Sequence, residues 1–488
     1  MLVNLNLSRS KYLYISLLML KRILKLNGKI LIVIIVLFGC ARFLDKSLGG
    51  IYDADRSPYL QSASPNSIII RWQTKTPNKG VVRIGKNFNH VEKVFSESSE
   101  DDEHSIRITG LEPNTRYYYS VGTAKYSMYK GEEYWFKTSP IDTQSPIRFW
   151  VTGDQGQAGA IQSGVRDAML SWTHKNPLQN NVTSGNTLSG SAESNLDFWI
   201  TTGDNAYRSG TNQQFQNNFF APYTSILKNT PVWPTYGNHD ARRWAFFNIF
   251  SLPTKAEAGG IASATEKYYS FDYGDLHVVM LDSESSRIQK NSKMLRWLQK
   301  DLAATKQKWL VAVFHHPPYS KGSHNSDNLA DSQGRMQNVR KYILPLLERA
   351  GVDVVLNGHS HMYERSWFMN CHYGMSNTFT DNLIQDGKLG ANVKQSEQKG
   401  LVYRKAQTGL TSLSGTIYIT IGSSARVDVG DLDHPAMPVS LHEAGSLVFD
   451  ISGEKLTANF ILQSGLVADS FSIVKGLADA PVGRERCE

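Results

Sequence analysis

Cysteine is nearly missing from this 488-residue chain, which has only Cys40, Cys371 and Cys487. So few exclude a disulfide framework, although pairing of Cys371 with Cys487 is left open. Long apolar runs are missing too. The longest in the leader, Ile30–Phe38, is less than half of the roughly 20 residues that a membrane span needs. No internal repeat is visible, which excludes solenoids and propellers. Acidic residues are absent from residues 1–40, where Arg9, Lys11, Lys21, Arg22, Lys25 and Lys29 lie. Those six account for most of the formal charge of +8; without them 46 basic residues face 44 acidic ones. The basic balance therefore belongs to the leader, and a surface for nucleic acid or another polyanion is not expected.

The leader itself has the layout of an export signal, with Lys21, Arg22, Lys25 and Lys29 ahead of Ile30–Phe38. Leu37-Phe38-Gly39-Cys40 resembles the lipobox of bacterial lipoproteins, in which the cysteine becomes the lipidated first residue. Phe38 is a less usual residue in such a box. Met19 stands where the signal would begin, which makes residues 1–18 a candidate overlong start. The expectation is a leader over 1–40, lipidation at Cys40 and attachment to the cell envelope or outer membrane, or otherwise secretion. The competing reading, an uncleaved anchor built from Tyr12–Leu20 and Ile30–Phe38, conflicts with the charges between the two runs.

Residues 51–140 read as all-β. Ser67–Trp72 (SIIIRW), Gly80–Ile84, Ser105–Ile108 and Tyr134–Thr138 are short strands, and Ser67–Trp72 is apolar enough to be buried. Leu111–Tyr119 (LEPNTRYYY) is a turn feeding a Tyr-rich strand, as a tyrosine corner does in β-sandwiches. The unit resembles a fibronectin type III module, with its aromatics expected in the core. Ser139–Ser145 is the expected linker.

From residue 146 to about 475, strands alternate with helices. Met294–Leu302 and Gln337–Ala350 carry helical periodicity, the latter with Pro345 as a candidate kink. Tyr268–Tyr273 and His277–Leu281 form a strand pair turned at Gly274-Asp275. Gly415–Gly422, Gly445–Ile451 and Leu456–Leu462 add strands, and the Asn/Ser/Gly/Thr-rich stretch Asn176–Asn195 is a surface loop. The informative pattern is at strand ends. Arg148–Thr152 runs into Gly153-Asp154-Gln155-Gly156, and Phe198–Thr202 into Gly203-Asp204-Asn205-Ala206-Tyr207. Pro231–Tyr236 runs into Gly237-Asn238-His239-Asp240, Trp309–Phe314 into His315-His316-Pro317, and Val352–Leu356 into Gly358-His359-Ser360-His361. The carboxyl edge of an α/β sheet is where sites are built.

Carboxylate, amide and phenol oxygens are hard donors, imidazole is borderline, and no thiol is near. A single zinc needs three or four ligands, whereas this edge offers at least seven. The surplus suits two ions roughly 3.5–4 Å apart sharing a carboxylate. The blocks GDxG, GDxxY, GNHD, the His-x-Pro histidine and GHxH, in this order behind a fibronectin-like unit, resemble a purple acid phosphatase within the calcineurin-like metallophosphoesterases. That resemblance implies a two-sheet β sandwich flanked by helices as the catalytic domain. It implies that Asp154, Tyr207 and His361 hold a first metal with Asp204 bridging, and that Asn238, His315 and His359 hold a second. His316 is the alternative to His315.

The phenolate of Tyr207 favours a trivalent ion, so the expected pair is Fe(III) with Zn, Mn or Fe(II). The implied reaction is attack of a metal-bound hydroxide on a phosphomonoester. His239 and His324 then face the substrate, and Tyr363, Glu364 and Arg365 support the ligands from outside. Two other readings stand beside it. One is a phosphodiesterase or nucleotidase on the same metals. The other is a surface binding protein whose β-sandwich does the work and whose second unit is a degenerate scaffold.

Overall fold

A computed structural model describes residues 55–141, 145–178, 195–387 and 399–487. The leader over residues 1–40, Cys40 included, lies outside the described residues, as do parts of the linker and most of Asn176–Asn195.

The leading unit is two antiparallel sheets. One orders Arg56–Gln61, Ser67–Asn78 and Asp101–Thr109; the other orders Lys93–Ser96, Val81–Gly85, Arg116–Gly122 and Ser127–Tyr129, with Trp135–Lys137 also on Arg116–Gly122. The tyrosine corner is present: the Tyr117 hydroxyl accepts from the Glu112 N–H at 3.0 Å. The uninterrupted apolar run in Ser67–Asn78 has a physical reason, since the strand is buried on both faces. Ile68, Ile70 and Trp72 join the hydrophobic core that runs on into the second unit. Arg71, on the opposite face, donates to the Asn248 carbonyl at 2.6 Å and to Ser251 Oγ at 3.0 Å. Arg56 lies 4.2 Å over the Phe220 ring and donates to Gln216 Oε1, while the Tyr59 hydroxyl donates to the Ile249 carbonyl. Tyr59, buried as expected of the unit's aromatics, therefore also anchors the sandwich to its neighbour.

The second unit holds two seven-stranded sheets. The first orders Val232–Pro234, Phe198–Thr201, Ile147–Thr152, Gly445–Ser452, Lys455–Leu462, Val467–Val474 and Leu401–Arg404. The second orders Tyr269–Tyr273, Leu276–Met280, Trp309–Val313, Val354–Asn357, Ile417–Ile421, Tyr363–Arg365 and Val439–Leu441. Strands that carry the motifs pair in parallel, so their carboxyl ends share an edge. The sheets face each other across aromatic side chains: Phe149 stacks between Phe198 and Phe449 along the first sheet at 5.0 and 4.8 Å, and Phe271 of the second sheet stacks on Trp233 of the first at 4.0 Å. Helix Ala160–Lys175 covers the first sheet. Helix Lys293–Ala304 and the helical stretch 335–349 pack their apolar sides with strand residues of the second sheet in a separate core. The helical stretch over Gln337–Ala350 is not continuous. A π-turn at Val339–Ile343 sits between Arg335–Asn338 and Leu344–Arg349. Pro345, lacking an N–H, sits where the widened turn has already altered the hydrogen-bond register.

Two polar clamps hold this sandwich. Asp353, fully buried, accepts from Lys405 Nζ at 2.7 Å, Lys475 Nζ at 2.9 Å and the Leu310 N–H at 3.0 Å. Asp469 accepts from the Tyr363 hydroxyl and from Arg365, joining the two sheets. A third cluster ties helix Lys293–Ala304 to the edge hairpin. His277 sits between Asp272 at 2.6 Å and Asp301 at 2.9 Å, and Asp301 also accepts from Ser270 and the Ile261 N–H. Burial opposes the charge on His277, but the bonds and charges of the two carboxylates outweigh it and push its pKa up to about 9.

Because that value lies above the ordinary 6.5, the stabilisation from His277 is complete below about pH 6.5 and disappears as pH rises through about 9. Replacing His277 by Leu should cost about 3–5 kcal/mol at neutral pH, since Asp301 is left buried without a cation. The loss should shrink from pH 7 to pH 9.5. Urea midpoints for both proteins across that window measure it, and parallel profiles would contradict the assignment.

Candidate metal centre

The five polar motifs meet at the carboxyl edge of the two sheets. Asp154 follows Ile147–Thr152, Asp204 and Tyr207 follow Phe198–Thr201, and Asn238 and His239 follow Val232–Pro234. His315 follows Trp309–Val313, and His359 and His361 follow Val354–Asn357. Each chain turns abruptly at this edge: Asp154, Asp204 and His359 all have positive φ, at 56°, 52° and 69°. Such a backbone is costly for residues with a Cβ and persists where surroundings over-determine it. Here Asp154 Oδ2 accepts from the His359 N–H at 2.8 Å, and Asp204 Oδ1 from the His239 N–H at 2.7 Å. The glycines of two motifs make room for these carboxylates. A Cβ on Gly237 would fall 2.3 Å from Asp204 Oδ1, and one on Gly358 would fall 2.4 Å from Asp154 Oδ2.

Hydrogen bonding at the rear of each imidazole settles which nitrogen faces the site. His315 Nδ1 lies 2.9 Å from the Thr202 carbonyl, which can only accept, so that nitrogen carries hydrogen. Its Nε2 then faces Asn238 Oδ1 at 2.9 Å and Asp204 Oδ2 at 3.5 Å. His359 Nδ1 also lies 3.1 Å from Asn238 Oδ1. His361 Nδ1 donates to Asp428 Oδ2 at 2.7 Å, which turns its Nε2 toward Tyr207 Oη at 3.0 Å and Asp154 Oδ1 at 3.4 Å. The Tyr207 hydroxyl donates to Asp154 Oδ1 at 2.8 Å. Two groups of converging lone pairs result: Asp204, Asn238, His315 and His359 in one, and Asp154, Tyr207 and His361 in the other. Asp204, with its acidic neighbour Asp154, lies at their centre, both essentially unexposed.

Buried acceptors this close repel one another unless positive charge lies between them. The titration tendencies say the same. Burial disfavours the Asp204 carboxylate, yet His315, by charge and hydrogen bond, and His239 hold its carboxyl well below the usual range. His315 pays for burial but is drawn up to about 10 by Asp204. Burial, reinforced by Asp154 and Asp204, pushes the Tyr207 phenol well up, so loss of its proton needs a strong positive charge nearby. The donor set, hard oxygens with imidazole nitrogens, fits a pair of cations.

His316 packs against the His359 ring at 4.5 Å, but its polar atoms bond outside this cluster. Its backbone N–H donates to Ser283 Oγ at 3.0 Å, its Nδ1 lies 2.9 Å from the same oxygen, and its Nε2 lies 3.6 Å from Glu284. Of the two adjacent histidines, His315 is the one whose Nε2 joins the cluster. His239 is partly exposed at the rim; its Nδ1 donates to the Arg208 carbonyl at 2.7 Å and its Nε2 lies 3.9 Å from Asp204 Oδ2. His324 stacks on His359 with ring centres 3.8 Å apart. Glu364 accepts from Ser320 Oγ and from the Lys321 N–H, bracing the loop ahead of His324, whereas Tyr363 and Arg365 serve the clamp at Asp469.

Sequence reasoning missed three contributors. Asp240, visible in the GNHD block, accepts from the Gly237 N–H and from the backbone and side chain of Asn205, tying two motif loops together. Burial, with Asp204 nearby, pushes its carboxyl up to about 7. Asp428 had no sequence signal, because only the fold brings it to His361. Asp331, beside His324 at 2.9 Å, likewise stands outside every motif.

Comparison with known proteins agrees with this geometry. Residues 147–363 match the family described as calcineurin-like phosphoesterase, and residues 56–138 match the purple acid phosphatase N-terminal domain. Purple acid phosphatase 21 of Arabidopsis thaliana is 32% identical over 273 residues, covering 54% of this chain and 53% of that protein. Purple acid phosphatase 22 of the same plant is 31% identical over equal shares. The chain thus spans about half the length of the curated relatives it matches. Among solved structures, a purple acid phosphatase from yellow lupin (Lupinus luteus) seeds superposes with a TM-score of 0.64 at 17% identity, covering 87% of this chain and 75% of that one. PhoD gives 0.54 at 12% identity over 84% and 87%. The chain is thus similar to the calcineurin-like phosphoesterases over residues 147–363 and to the N-terminal domain of purple acid phosphatases over residues 56–138.

Proposed function

We propose that this chain is an exported acid phosphatase that hydrolyses phosphomonoesters at a dinuclear metal centre. Its domains are a leader over 1–40, a fibronectin-like β-sandwich over 51–140 and a catalytic domain over 146–475. The carrying observation is the grouping of Tyr207 Oη with Asp154 Oδ1 and His361 Nε2, at 2.8 and 3.0 Å. In this reading Asp154, Tyr207 and His361 hold Fe(III), Asn238, His315 and His359 hold Zn, Mn or Fe(II), and Asp204 serves both. Bound there, the two cations supply Lewis acidity toward phosphate oxygen and an acidified water.

The remaining work falls to the side chains. Asp204, held anionic, keeps the two ligand groups in register. His239, with Nδ1 committed to the Arg208 carbonyl, has Nε2 available at the rim, where it can carry a proton to the leaving oxygen. His324, stacked on His359 and partly exposed, is placed to steady the phosphate. Export and anchoring rest on the basic leader and Cys40, read from sequence alone. Among the described residues no helix is long and apolar enough to cross a membrane.

Protein produced with iron should contain about two metal ions per chain and show a visible phenolate-to-iron absorption band that Tyr207→Phe abolishes. A colourless, active enzyme would refute iron while leaving hydrolysis intact, and a chain without metal would support the degenerate scaffold instead.

A phosphomonoester should be cleaved faster than the bis-ester of the same phenol, and His239→Ala should slow the monoester about 10²–10⁴-fold with metal content unchanged. A faster bis-ester would make this a phosphodiesterase.

Cys40→Ala should move the protein out of the membrane fraction; unchanged fractionation would refute lipidation there.

A further inference from the structure

Asp331 and Ser332 carry no motif, yet they meet two of the site's histidines. They lie just ahead of helix Arg335–Asn338, where Ser332, Gln333 and Gly334 have φ of 50°, 56° and 74°. Asp331 Oδ1 accepts from His324 Nδ1 at 2.9 Å and from Ser332 Oγ at 2.8 Å, and its Oδ2 accepts from the Asn325 N–H at 2.9 Å. Ser332 Oγ lies 2.6 Å from His359 Nε2.

A proton count fixes the direction of these bonds. Serine has one hydroxyl hydrogen, and an ionised carboxylate can only accept. The hydrogen of Ser332 therefore goes to Asp331, and Ser332 Oγ must accept from His359 Nε2–H. A neutral His359 then has its lone pair on Nδ1, the nitrogen 3.1 Å from Asn238 Oδ1. His361, two residues on, is set the opposite way, since Asp428 takes Nδ1–H and leaves Nε2 toward Tyr207. The two imidazoles of Gly-His-Ser-His thus present different nitrogens because their outer partners lie on different loops.

We propose that Asp331 and Ser332 are a positioning pair: they hold the hydrogen on His359 Nε2, so that Nδ1 would be free to ligate the second cation, and the same carboxylate orients His324 over the His359 ring. The inference rests on the two-cation reading of the site. A rival use of the same groups is a third cation held by His324, Asp331 and His359, whose ligand atoms lie within 4.8 Å of one another. Against it, His324 Nδ1 and His359 Nε2 both carry hydrogen toward Asp331 and Ser332, which leaves no imidazole lone pair facing that group.

The test is divalent-metal affinity of the full chain, measured by titrating iron-loaded protein with Zn(II) against a chromophoric chelator. Ser332→Gly removes the hydroxyl and suits a φ of 50°, so the turn should survive; Asp331→Asn keeps the shape but not the charge. Each should weaken Zn(II) binding about 10–100-fold, with the double variant close to the weaker single one. The iron content and the Tyr207 absorption band should not change. Unchanged Zn(II) affinity in both variants overturns the pair, as does equal loss of iron and zinc, or a third equivalent in the parent protein that Asp331→Asn removes. A parent protein that binds no second ion would overturn the two-cation reading and this inference with it, a failure distinguishable by its appearance before any substitution.

Discussion

Crowding of electron-rich atoms around Asp204 is the constraint on which the rest of the structure depends. Two carboxylates, a phenol, an amide oxygen and three imidazoles approach one another closely in a region largely shielded from water. Desolvation makes the uncompensated arrangement expensive. It stands only because strained backbone, N–H donors and glycine clearances hold each group from behind. Asp204 takes the His239 N–H, Asp154 takes that of His359, and Gly237 and Gly358 leave space where a methyl group would collide.

Holding such a cluster calls for a stiff frame, and the sandwich is braced away from its active edge. Asp469 links the two sheets through Tyr363 and Arg365, and Asp353 collects two lysines together with a strand amide. The leading β-sandwich shares its apolar core with the second unit and adds guanidinium contacts from Arg56 and Arg71. Cys371 and Cys487, 116 residues apart, form a disulfide that pins the end of the described chain to the second unit.

Much of the site was legible in the linear chain because each of the five polar motifs follows directly on its own strand. A run of apolar residues, a glycine and a polar group make a local signal, and parallel pairing turns five such signals into one edge. The tyrosine corner was readable for the same reason, as Glu112 and Tyr117 are neighbours. The helix around Pro345 was placed correctly in extent but not in form, since a widened turn depends on how the segment packs as well as on propensity.

The amino-acid order by itself determined the strand-and-turn grammar, the identity of the polar groups at each strand end and the division into a β unit and an α/β unit. Tertiary structure alone turned His315 rather than His316 toward the polar cluster, paired Cys371 with Cys487 and set the nitrogen that each imidazole presents. Those outcomes depend on partners brought in from remote parts of the chain: Thr202 behind His315, Asp428 behind His361, Ser332 and Asp331 behind His359. A hydrogen bond is decided by distance and direction in space, and neither is written in residue spacing once the chain has left its strand.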